Sequence, residues 1–142
     1  MKIEFFVLEN ASRLQALREL CLLMEKSYQA AESVYIHVNS PEEAELLDRL
    51  LWTYHDESFL PHSMKAEDAA PIMIGYTTPA TTSTHTLVNM TAGIPAFYQQ
   101  FQRVIEMVYQ DTAIQQAARE RFRQYREAGQ NLQTHKIKVS QA

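Results

Sequence analysis

Four arginines fall within eight residues of a chain whose formal net charge is −4. They lie in Ala118-Arg119-Glu120-Arg121-Phe122-Arg123-Gln124-Tyr125-Arg126-Glu127-Ala128-Gly129. At about 100° per residue, Arg119, Arg123 and Arg126 fall on one helical face with Phe122 between them, and Arg121 points nearly the other way. Guanidinium groups grip carboxylates in a two-pronged fork, and an aromatic ring beside them buries an apolar end group, so an anionic partner suits this face. Two other readings fit the same residues. One is a solvated charged face with Arg126 complementing the helix dipole. The other is single-stranded DNA with Phe122 or Tyr125 stacking on bases, against which the acidic balance of the chain weighs.

The second dense spot runs from Trp52 to Ser63 and holds two histidines, two carboxylates and two serines. A small hydrolase or phosphotransferase would use Ser58 or Ser63 as nucleophile, His62 as base and Asp56 to orient it. A metal site would use His55, Glu57 and His62. Neither a nucleophile elbow nor HExxH spacing accompanies these residues, so the hydrolase or phosphotransferase reading of the His55–His62 loop stands as the alternative, resting on composition alone. The interleaved Trp52, Phe59 and Leu60 are either core beneath the loop or an anchor for a partner, and composition does not separate the two. His37 and His85 sit in strand patterns as packed residues. Cys21, the single cysteine, lies in an apolar helical run and reads as a buried reduced thiol.

Hydrophobic period then sets the frame. Lys2–Leu8 reads as a strand, followed by the Asn10-Ala11-Ser12 helix start and Leu14, Leu17, Cys21 and Met24 at helical spacing. Val34–Val38 is a second strand. Ser40-Pro41-Glu42-Glu43 is a capping box with proline at the first helical position, opening a helix to about Trp52. Ile72–Tyr76 and Thr86–Met90 read as further strands, Val104–Val108 as a central one, and Pro95–Phe101 as a short helical turn. Thr112 and Gln115 form a capping box for a last helix with Ile114, Ala118, Phe122 and Tyr125 as its stripe, ending at Gly129. The alternation predicts a single α/β domain, Rossmann-like, with a mostly parallel central sheet flanked by helices. Residues 1–132 make that domain, and residues 133–142, with His135, are expected to be a flexible tail.

At 142 residues one domain is expected. Gly75, Gly93 and Gly129 are the only glycines, too scattered for a P-loop or dinucleotide fingerprint, so no nucleotide cofactor is expected. Met1-Lys2-Ile3-Glu4 opens no signal peptide and no apolar run reaches membrane-spanning length, so the chain reads as soluble and cytoplasmic.

Leu51-Trp52, Glu57-Ser58-Phe59-Leu60-Pro61-His62 and the segment Ala118–Leu132 with its Arg119, Arg121, Phe122, Arg123, Tyr125, Arg126 and Asn131 together resemble the chi subunit of bacterial DNA polymerase III. The resemblance covers most of the chain in order and length, with a looser middle third. It implies a Rossmann-like accessory protein of the clamp-loader complex, with no catalytic site of its own. It implies binding of the acidic C-terminal tail of single-stranded DNA-binding protein, with Arg119, Phe122, Arg123, Gln115 and Arg126 as the site. By the same resemblance, Trp52, Phe59, Leu60, Val108 and Tyr109 face the psi subunit, which links to the clamp loader, or alternatively a helicase-like repair protein. Specific nucleic-acid and membrane contacts are not implied. Gln115 stands where the family often has a basic residue and Phe122 where tyrosine is common, which implies a tail held through fewer charge contacts, and at the psi-facing surface Tyr109 stands where proline occurs.

Overall fold

The computed structural model describes residues 1–53, 61–64, 70–79 and 85–138. Among them the chain runs β1 (Lys2–Glu9), α1 (Arg13–Gln29), β2 (Val34–His37), α2 (Pro41–Thr53), β3 (His62–Ser63), β4 (Ile72–Gly75) and β5 (Thr86–Asn89). A 3₁₀ turn (Tyr98–Gln100), β6 (Arg103–Val108), α3 (Thr112–Glu127) and β7 (Leu132–Lys138) complete it. The seven strands form one sheet in the order β3-β4-β2-β5-β6-β1-β7, and every pairing is parallel. The expected α/β architecture is therefore present, and Val104–Val108 is the central strand its pattern suggested.

Parallel strands need both faces covered, which is why these read as continuous apolar runs rather than alternating ones. On one face α1 and α2 lay Leu20, Cys21, Met24, Leu47 and Leu51 against Ile36, Val88, Ile105 and Met107. On the other, Ala118 and Tyr125 of α3 meet Ile3, Phe5, Val104 and Val108, joined by Tyr35, Phe97 and Phe101. Cys21 is fully buried and its thiol is pushed up to about 12 by desolvation, so it is an inert core residue. His37 packs against Tyr35 and Phe97, and burial pushes its imidazole down, toward the neutral form.

Helix starts follow local chemistry. Ser12 caps α1 in a reciprocal box with Gln15. Ser40 Oγ accepts from the Glu43 amide at 3.2 Å, while the Glu43 carboxylate reaches back to the Asn39 amide at 3.1 Å. In α3 the expected Thr112–Gln115 box is replaced by Asp111, whose carboxylate accepts from the Ile114 amide at 3.1 Å. A carboxylate one residue earlier is the stronger cap, since it also opposes the positive end of the helix dipole. Gly129 ends α3 in the left-handed region at φ 81°, where a side chain would be strained.

The flexible tail expected from residue 133 is corrected by β7. Leu132 to Lys138 pair along β1 from Ile3 to Glu9. Without β7 the row of backbone groups on β1 would form an open edge, and the polar, lysine-bearing sequence that disguised β7 as a tail is what a solvent-facing edge strand requires. His135 stacks on Phe6 at 5.1 Å, and its Nε2 lies 3.1 Å from the Glu4 carboxylate, which Arg103 also grips. Burial raises the Glu4 carboxyl, but the hydrogen bonds from Arg103 and His135 outweigh it and hold the group below its ordinary 4.5. A carboxyl lowered in the folded state stabilises above its unfolded pKa and loses that contribution as pH falls through the folded one. Urea midpoints measured from pH 6 down to pH 2 should therefore fall less steeply below about 4.5 in Glu4→Gln than in the wild type.

Candidate functional site

One buried ionic cluster sets how α3 sits. Glu106 of β6 is fully buried and accepts from Arg121 Nε at 3.0 Å, Asn89 Nδ2 at 2.9 Å and the Tyr125 hydroxyl at 2.8 Å. Arg121 Nη1 also donates to the Ala92 carbonyl at 2.8 Å. Burial is the largest influence on Glu106 and pushes its carboxyl up, against the pull of Arg121 and then of Asn89 and Tyr125. Arg121, read as facing away from the other arginines, is thus a core residue. Sequence reading assigned Glu106 no role, although it is the only charge within Val104–Val108. Tyr125 is wholly buried and cannot stack on a base.

With Ala118, Arg121 and Tyr125 turned to the sheet, the remaining positions of α3 are fixed by helical period. Gln115, Phe122, Arg126 and Arg119 fall on one flank within about 60° of each other, and Arg123 projects straight outward. Phe122 is half-buried with its ring edge-on to Phe5, centroids 5.3 Å apart. Arg119 and Arg126 are exposed and have no ion pair among the described residues. Arg123 differs from the expectation. Its guanidinium is bridged to Glu120 and, at 2.8 Å, to Glu127, so its charge is matched within the helix. The flank therefore offers two unmatched cations around an aromatic floor, a geometry for a carboxylate attached to an apolar group.

Of the residues expected to face psi, the described ones fall in two separate places. Trp52, at the end of α2, is 45 % exposed, with its ring 4.4 Å from that of His62. His62 pairs with Ile72, where β4 begins. Val108 instead ends β6 and Tyr109 follows it, at the carboxyl ends of the strands, opposite the end where β4 begins, and Val108 is buried in the core beneath α3. Tyr109 lines a cavity of about 500 Å³ at the carboxyl ends of β2, β5 and β6, with Arg13, Glu43, Asn89 and Asp111. Phe59 and Leu60 lie outside the described residues, as do His55, Asp56, Glu57 and Ser58 of the catalytic and metal readings. His62 is buried, its Nε2 3.2 Å from the Asp48 carbonyl and 3.3 Å from the Asp48 carboxylate. Among the described residues there is no metal-binding group of three or more ligands, and no helix is long and apolar enough to cross a membrane.

Solved structures share the fold. The chain aligns over 98 % of its length with 42 % of the chain of T4 UvsW, at a TM-score of 0.69 and 9 % identity. The chain thus spans less than half of that protein. It aligns over 99 % of its length with 66 % of a Mss116p DEAD-box helicase domain 2 chain bound to an RNA duplex, at a TM-score of 0.65 and 11 % identity. At such identities the likeness shows architecture alone. Sequence comparison goes further. The DNA polymerase III subunit chi of Pseudomonas aeruginosa is 38 % identical over 137 residues, covering 96 % of both chains. That of Escherichia coli K12 is 30 % identical over 138 residues, covering 92 % of this chain and 94 % of its own. The family model described as DNA polymerase III chi subunit, HolC, matches residues 1–133, and the chain belongs to that family, the chi subunits of DNA polymerase III.

Proposed function

We propose that this chi subunit is a non-catalytic adaptor of the DNA polymerase III clamp-loader complex that docks the acidic C-terminal tail of single-stranded DNA-binding protein on the α3 flank. The observation that carries the reading is the pair of unmatched guanidiniums, Arg119 and Arg126, beside the half-buried Phe122 ring. Arg119 holds the terminal carboxylate, Phe122 floors the slot for an apolar terminal residue, and Arg126 and Gln115 flank it. Arg123 adds to the local field while tied to Glu120 and Glu127. The exposed Trp52, with Phe59 and Leu60, is the surface for the psi subunit, or for a helicase-like repair protein in its place. Val108 and Tyr109 fall outside that surface, since they lie at the carboxyl ends of the strands, whereas Trp52 lies near the start of β4. Such an adaptor acts in the cytoplasm, needs no cofactor and makes no specific nucleic-acid contact of its own.

Titrating the chain into single-stranded DNA-binding protein, intact and with its acidic tail removed, tests the reading. Binding to the intact protein that weakens with salt and disappears with the tail is the expected result. Equal binding to both forms would contradict it.

A further inference from the structure

The flank of α3 faces the edge strand β7, and the register places a lysine where the helix lacks one. Lys136 pairs with Val7, as Thr134 does with Phe5 and Leu132 with Ile3, so all three lie on the α3 side of the sheet. Gln115 and Lys136 line the same shallow cleft, together with Val7, Leu8, Glu9, Asn10, Gln110, Asp111 and Thr112. Lys136 is exposed and has no ion pair among the described residues. Asp111 is occupied capping α3, and Glu9 stands opposite Lys138 in the strand register, so both carboxylates sit at the upper end of the cleft.

We propose that Lys136 is a further binding residue for an acidic peptide, supplying from β7 the positive charge that Gln115 does not supply from α3. The inference rests on the tail-docking reading above. It adds a direction to the peptide. Gln115 precedes Arg119 by four residues, about 6 Å along the helix, which is about two residues of extended chain. With its terminal carboxylate on Arg119, the peptide runs up the trough between α3 and β7 and brings an acidic side chain about two residues from its end to Lys136. Phe122 and Leu132, which share one apolar cluster, form the lower wall of the trough.

The test is fluorescence anisotropy with a labelled acidic peptide ending in phenylalanine, titrated at two salt concentrations with wild type, Lys136→Glu, the double variant Lys136→Glu with Gln115→Lys, and Arg119→Ala. Lys136→Glu should weaken binding about tenfold and flatten its salt dependence, and Gln115→Lys should restore about threefold in the Lys136→Glu background. Circular dichroism melting checks that each variant folds, which an exposed edge-strand position favours. Wild-type affinity in folded Lys136→Glu alongside lost binding in Arg119→Ala would overturn the role of Lys136 and leave tail docking standing. Wild-type affinity in Arg119→Ala would overturn the docking reading, and the role of Lys136 with it.

Discussion

Arg121→Ala is expected to destabilise the chain by about 3–5 kcal/mol, the cost of removing one partner of a buried ion pair. The cause is what it leaves behind. Glu106 has no solvent exposure, and its carboxylate accepts from Arg121, Asn89 and Tyr125. Without the guanidinium, a buried negative charge has only two neutral donors, and protonating it costs free energy at neutral pH. The Ala92 carbonyl loses its donor as well, which loosens the segment after β5. Urea denaturation at pH 7 measures the loss. Arg126→Ala, the same truncation on the exposed flank, serves as the control and should stay within about 0.5 kcal/mol of wild type. Equal stabilities for the two variants would mean that the Glu106 cluster does not anchor α3.

This cluster also shows what the sequence could and could not convey. Helices α1, α2 and α3 and strands β1, β2, β4, β5 and β6 were legible because apolar period is a local signal, and Val104–Val108 read as a strand from its apolar run. Glu106 within that run was visible, but its partners, Asn89, Arg121 and Tyr125, come from three other stretches of chain and meet only through the strand order. The tail expected from residue 133 failed for a related reason, because residues 132–138 form β7. Its polar residues resemble a tail, and only the unpaired edge of β1 makes them a strand. Among the candidate site residues, the face containing Phe122, Arg119 and Arg126 followed from period alone. The commitment of Arg123 did not, because rotamers decide whether it meets Glu120 and Glu127 or a ligand. The separation of Trp52 from Val108 and Tyr109 was likewise hidden, since α2 and β6 finish at opposite ends of the parallel strands.

Arg119→Ala is expected to weaken acidic-peptide binding by roughly 10- to 100-fold, the range of a charge-assisted hydrogen bond of about 1.5–3 kcal/mol. Its exposure and lack of an ion pair among the described residues mean that truncation should leave the fold intact, so lost affinity would report the contact itself. Arg123→Ala should cost far less, because its guanidinium already serves two carboxylates of its own helix. The most direct measurement compares a labelled acidic peptide ending in Pro-Phe with the same peptide amidated at its C-terminus, each titrated at low salt into wild type and Arg119→Ala. The account predicts that only the free-carboxylate peptide binds tightly, and only to the wild type. Amidated peptide that binds wild type as well as the free acid, or full affinity retained in Arg119→Ala, would contradict it.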